Sequence, residues 1–151
     1  MALPAGMSSC AMCVDYMIGT AWVSIPDNLS VIDPPSQSRM TGEAYVFGED
    51  VALTTVGKRE PTEVTARGVW AEGTADPFYI FLTTFEIACG GLLALRWSPG
   101  GCVSTHDSFF TSTTVSELIS LSYPGGDAGS AEPLMYEFTI RTPTITRAAW
   151  A

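Results

Sequence analysis

Any chemistry in this chain would have to come from a small set of residues. Cys10-Ala11-Met12-Cys13 has CxxC spacing, and Cys102 stands four residues before His106. Together with Cys89, these are the sulfur and imidazole donors that zinc takes. No second CxxC completes the set, so Cys10, Cys13, Cys102 and His106 make an incomplete metal candidate, and single cysteines packed among apolar side chains are the plainer reading. A redox CxxC needs a strand-to-helix setting, which residues 7–17 do not present. His106-Asp107-Ser108 holds the residue types of a hydrolytic triad, but a triad is assembled in space and not from adjacent positions. There is no GxxxxGK[ST] phosphate loop and no GxGxxG. Carboxylate pairs are numerous among sixteen acids, and nothing singles one out. The expectation is a protein with no catalytic residues, no cofactor and no bound metal.

Charge narrows the partners. Sixteen acids against seven bases leave a net charge of −9. Phosphate contacts need Lys and Arg, so tight nucleic-acid binding is not expected. An acidic protein can still stand beside DNA if its task is not to hold it. Charged residues are 15% of a chain that is 46% hydrophobic. That is low for a surface wholly in water, and points either to a Ser/Thr-rich surface or to surface covered by other subunits. The start, Met1-Ala2-Leu3-Pro4-Ala5-Gly6, has no basic segment and no continuous apolar stretch, so no secretory signal is expected. Synthesis in the cytosol would keep the cysteines reduced. The apolar run Phe78 to Leu95 carries Glu86 and Gly90-Gly91 and is short for a bilayer span; a buried helix followed by a buried strand accounts for it.

The elements that would position these residues are mostly strands. Residues 1–19 show no period and read as an N-terminal arm of uncertain order. Ala21–Ile25 is a short strand, and Asp27–Ser38, with Pro34-Pro35, a loop. Glu43–Phe47 and Val51–Val56 flank Gly48-Glu49-Asp50 as a hairpin, and Gly57–Pro61 turns into the next strand. Thr62–Ala71 alternates, with Val64, Ala66 and Trp70 on one face and Glu63, Thr65 and Arg67 on the other. Asp76 as N-cap and Pro77 as first residue open a helix over about residues 77–89. Its stripe is Phe78, Phe81, Leu82, Phe85 and Cys89, and Gly90 or Gly91 closes it. Leu92–Trp97 is a strand. So is Thr111–Tyr123, with Thr113, Val115, Ile119, Leu121 and Tyr123 inward and Ser112, Thr114, Ser116, Ser120 and Ser122 outward. The last strand turns Leu134, Tyr136, Phe138 and Ile140 inward, and 142–151 is a tail. The expected fold is mainly β: a sandwich or rolled barrel with one flanking helix and extended loops or arms. The expected domain covers 20–146, with a short C-terminal tail at 147–151.

Four strings carry a resemblance: Gly57-Lys58-Arg59-Glu60-Pro61; Trp70-Ala71-Glu72-Gly73 before Asp76-Pro77-Phe78; Arg96-Trp97-Ser98-Pro99-Gly100-Gly101; and Phe138-Thr139-Ile140-Arg141-Thr142-Pro143-Thr144-Ile145. In this order, over roughly Arg39 to Thr146, the chain resembles the tail tube (major tail) proteins of long-tailed, siphovirus-type bacteriophages. Residues 1–19 share nothing with them.

The resemblance implies a structural virion protein of the tail tube, made in the host cytoplasm. It implies hexameric rings that stack into a hollow conduit for DNA ejection, with hairpins and arms bridging rings. Its implied partners are other copies of itself, the tape measure protein, and tail terminator and tail tip proteins; DNA passes without specific binding, and no membrane is entered. A lumen that DNA traverses should present acids and hydroxyls. Glu43, Glu49, Asp50 and Glu63, and the hydroxyl face with Ser112, Thr114 and Ser116, are candidates for it. Lys58, Arg59 and Arg67 are candidates for subunit interfaces, because scarce bases in an acidic protein should meet carboxylates, either within the subunit or across an interface. The alternatives are another ring-forming tail component, a terminator or head-tail connector, or a β-sandwich binding module using Trp22, Trp70, Trp97 or Trp150.

Overall fold

The computed structural model describes residues 12–25, 29–71, 76–99, 109–129 and 131–148. Among them the strands are β1 Cys13–Met17, β2 Trp22–Ser24, β3 Leu29–Ile32, β4 Arg39–Ala44, β5 Leu53–Arg59, β6 Thr62–Val69, β7 Ala94–Ser98, β8 Phe109–Ser112, β9 Glu117–Gly125, β10 Met135–Thr142 and β11 Ile145–Ala148. Helix α1, Pro77–Phe85, lies between β6 and β7. Two larger antiparallel sheets, ordered β11-β8-β7-β1-β2 and β3-β6-β10-β9, make the body, and β4-β5 forms a two-stranded sheet of its own. The fold is mainly β and sandwich-like with a flanking helix, as the period-two patterns imply.

The core is built by strands whose alternation is clean. On β6, Val64 and Ala66 are fully buried; on β10, so are Phe138 and Ile140, with Tyr136 nearly so. Opposite them Val14, Tyr16, Leu93, Leu95 and Trp97 come from the first sheet and its approach. Helix α1 closes one side. The Phe78 N–H donates to Asp76 Oδ2 at 3.2 Å, so Asp76 caps as expected. Phe81 inserts between the sheets, its ring 5.2 Å from Tyr16 and 4.6 Å from Phe138. The helix ends at Phe85 and not near Cys89. Cys89 and Gly90 take left-handed backbone, with φ of 64° and 96°, and reverse the chain. Gly91 then passes so close to Thr84 that a Cβ there would lie 2.3 Å from the Thr84 carbonyl oxygen.

Four further expectations, all about strands, are corrected. First, residues 13–17 are no arm: β1 runs between β2 and β7, and Cys13 to Tyr16 are all buried. No alternation announces it because both faces are covered and Asp15 sits within it. The Asp15 charge is met by Arg96 at 2.7 Å, directly across the ladder on β7. Second, β3 lies inside the expected 27–38 loop and pairs with β6. Third, the 142–151 tail contains β11, which pairs with β8.

Fourth, the expected 111–123 strand is two. The chain turns at Thr113–Ser116, where the Ser116 N–H donates to the Thr113 carbonyl at 3.1 Å. A β-bulge in β9 then inserts Ile119 between Leu118, opposite Ile140, and Ser120, opposite Thr139. The bulge shifts the phase by one residue. Leu118 and Leu121 turn inward and Ile119 outward; Val115, in the turn before β9, and Tyr123, at a second register shift between Met135 and Glu137, are exposed as well, against the expectation that all three face inside.

Candidate assembly interface

The hairpin is the feature that the body does not explain. Every residue of β4 and β5 is exposed. The apolar side chains are exposed too: Met40, Tyr45, Val46, Val51, Leu53, Val56, and Phe47 completely at 109%. Residues 45–52 form the tip between the paired strands. Its root is well fastened. The Glu60 N–H donates to the Ser38 carbonyl at 2.8 Å, and the Ser38 hydroxyl to Glu60 at 2.9 Å. Arg59 donates to Thr144 Oγ1 at 3.1 Å, and Gln37 to the Pro143 carbonyl at 3.5 Å. Within the arm, Thr55 Oγ1 lies 2.9 Å from where a Gly42 Cβ would stand, so only glycine lets that hydroxyl pack across the pair. An isolated two-stranded hairpin is marginal in water, and a large contiguous apolar surface marks an interaction site.

A second surface is polar. On the outer face of β6 and β10, Glu63 lies opposite Arg141, Thr65 opposite Thr139 and Arg67 opposite Glu137. The Thr65 and Thr139 hydroxyls are 3.0 Å apart. Arg67 pairs with Glu137 at 3.1 Å and with Asp33 at 3.8 Å. Opposed charges alternate along the face, so its own fields largely cancel. These pairs are about half exposed, and each contributes little to folding.

A third feature is a cleft of about 390 Å³ between the β8–β11 margin and the segment that leads into the hairpin. Trp97, Phe110 and Ile145 give it an apolar floor, Pro35 a wall, and Gln37 and Arg147 a polar rim. Arg147 is exposed and has no ion pair among the described residues.

The residues singled out in sequence are thus dispersed. Glu43, Glu49 and Asp50 lie on the hairpin, and Glu63 lies on the polar ladder. Thr114 is exposed in the turn before β9, but Ser112 and Ser116 are buried and cannot line a lumen. Their hydroxyls serve the backbone: Ser112 Oγ accepts from the Leu95 N–H at 2.9 Å, and Ser116 Oγ donates to the Thr113 carbonyl. Of the interface candidates, Lys58 is exposed on β5, Arg59 binds the hairpin root, and Arg67 finds its carboxylates within the subunit. Of the metal candidates, Cys10, Cys102 and His106 lie outside the described residues. Cys13 is disulfide-bonded, against the expectation of reduced thiols, and so offers no thiolate. Cys89 is a free, exposed thiol. The described residues contain no cluster of His, Cys, Asp and Glu that could hold a metal. Among the tryptophans, Trp97 is buried, Trp70 and Trp22 are half-buried, and Trp150 lies outside the described residues.

Two tyrosines carry shifted hydroxyls. Burial raises Tyr136 well above its ordinary value, with further contributions from the charges of Asp76 and Tyr16. Burial alone raises Tyr16. The Tyr136 hydroxyl has no hydrogen-bond partner among the described residues.

The sequence missed the apolar exposure of the hairpin and the cleft altogether. Tyr45-Val46-Phe47 is apolar without alternation, which was a usable signal. Nothing local says whether such a run is covered by its own subunit or by another.

No protein-family model and no curated protein matches the chain. Solved structures do. The chain is similar to one in the cryo-EM structure of the anti-feeding prophage cap, the AFP tube terminating cap. There the TM-score is 0.74 and the identity 16%, over 99% of this chain and 95% of the other. It is similar to a chain of the PVC sheath/tube terminator of an extracellular contractile injection system in its extended state, with TM-score 0.72 and 16% identity over 98% and 100%. It also matches a chain in the tail of an empty gene transfer agent particle, helically refined with C6 symmetry, with TM-score 0.64 and 12% identity over 97% and 100%. At these identities the likeness is one of fold: a fold found in components of phage-tail-like assemblies, contractile ones included, and not particular to siphovirus major tail proteins.

Proposed function

We propose that this chain is a structural, ring-forming subunit of a phage-tail-like tube. Copies associate side by side into a ring, six to a ring as in the C6-symmetric neighbour, and rings stack coaxially. The observation that carries the reading is the β4–β5 hairpin: firmly rooted, exposed on both faces, and carrying seven large exposed apolar side chains from Met40 to Val56. Such an arm is unstable in water unless other copies cover it. In this reading the tube conducts DNA or another cargo, Glu43 and Glu63 face or border the lumen, and the chain performs no catalysis. Tape measure, terminator and tail tip proteins are its partners, and the virion tail is its location.

A second reading is a terminator that stops at one ring. The similarity to chains from cap and terminator structures favours it. Untagged protein, concentrated and viewed by negative-stain electron microscopy, separates the two. Hollow cross-striated filaments are expected of a tube subunit. Single rings would move the assignment to a terminator. A monomer at every concentration, in sedimentation velocity as well, would overturn both.

A further inference from the structure

The hairpin tip and the cleft complement each other in polarity and charge. At the tip, Phe47 is completely exposed, Tyr45 and Val51 lie near it in the chain, and Glu49 and Asp50 add negative charge without an ion pair among the described residues. The cleft offers an aromatic and aliphatic floor of Trp97, Phe110 and Ile145, with Arg147 at its rim. Arg147 is one of seven bases in a chain of net charge −9. An uncompensated arginine beside an apolar recess is a receptor for an acidic, aromatic segment. A volume of about 390 Å³ is ample for one aromatic ring and its neighbours.

We propose that Phe47 of one copy seats in the cleft of a second copy, with Glu49 or Asp50 against Arg147. The contact rests on the ring-stacking reading above and names its receptor. The occupant is a second copy because of where the cleft lies. It borders the hairpin root, beside the Gln37–Pro143 and Arg59–Thr144 contacts. Strand β4, Arg39–Ala44, carries the tip away from that root by roughly 20 Å at ~3.3 Å per residue. A subunit's own tip therefore does not reach its own cleft. Tip and cleft are different surfaces of one chain, so the contact is heterologous and repeats from copy to copy, closing into a ring or extending as a stack. Glu49 and Asp50 thereby become contact residues and not lumen residues.

The test places the photocrosslinker p-benzoylphenylalanine at position 47 of the full chain, with irradiation at high protein concentration and mapping by mass spectrometry. The expected product joins position 47 of one copy to Trp97, Phe110 or Ile145 of another. Its yield should fall about tenfold with Arg147→Glu and return when Glu49→Lys and Asp50→Lys are added. The Arg147→Glu chain should keep its circular dichroism and melting temperature, because Arg147 is exposed. Crosslinks that map elsewhere, that stay within one copy, that do not form, or that ignore Arg147→Glu would overturn the contact. Cleft crosslinks from protein that forms no rings would sustain the contact and sink the stacking reading. Rings whose crosslinks map elsewhere would do the reverse.

Discussion

Asp15 and Arg96 stand opposite each other in the β1–β7 ladder, and their side chains form an ion pair 2.7 Å long. Asp15 is almost fully buried and Arg96 largely so. The Arg96 guanidinium lies 4.8 Å from the Trp22 ring centre and 5.3 Å from that of Phe109. The pair thus ties β1, β2, β7 and β8 together through one charge.

Asp15→Ala would leave Arg96 short of its carboxylate in a poorly solvated place. Breaking one side of a buried pair costs about 3–5 kcal/mol, and the residual exposure of Arg96 puts the expected loss at about 3 kcal/mol. Urea denaturation of the variant against the parent measures it. A loss below about 1 kcal/mol would show the pair to behave as a surface one.

Ser112→Ala should destabilise the body although it removes a single oxygen. The Leu95 N–H, which donates to Ser112 Oγ, would lose its partner inside the sheet. The expected cost is about 1–3 kcal/mol. Thr114→Ala, one turn away and exposed, should cost less than about 0.5 kcal/mol. Thermal melts of the two side by side test the reassignment of the serine face from lumen to core.

Leu53→Ser and Val56→Ser should separate folding from assembly. Both residues are exposed, at 59% and 70%, so monomer stability should change by no more than about 0.5 kcal/mol. Self-association should weaken by tenfold or more, read as the concentration at which sedimentation first shows oligomers. Equal loss of both properties would mean that the hairpin belongs to the subunit's own core.

Stability should decline in alkali through Tyr136. Its folded-state value is raised, so folding favours the neutral phenol. The full contribution is present below the unfolded value of about 10, and it is lost progressively as pH climbs above that toward the folded value. Tyr136→Phe should flatten this fall, leaving the smaller part due to Tyr16. At neutral pH it should be neutral or stabilising by up to about 1 kcal/mol, since the hydroxyl removed has no partner among the described residues. Melting temperatures at pH 8 and pH 10.5 for both chains decide it.

Much of the body was legible from local pattern. The inward faces of β6 and β10 follow from period two, and the start of α1 follows from Asp76-Pro77, because alternation and capping are settled by residues within a few positions of one another. What the tertiary structure decided depended on distant partners. β1 is a strand because Arg96, eighty-one residues away, neutralises Asp15. β9 turns Ile119 outward because a bulge against β10 resets its phase. Ser112 and Ser116 look like a hydrated face in sequence and are buried, because backbone from the Leu95 strand and the Thr113 turn needs their hydroxyls. The hairpin is the limiting case: its apolar residues declare that they need covering, and only the placement of β4 and β5 outside both larger sheets shows that this subunit does not cover them.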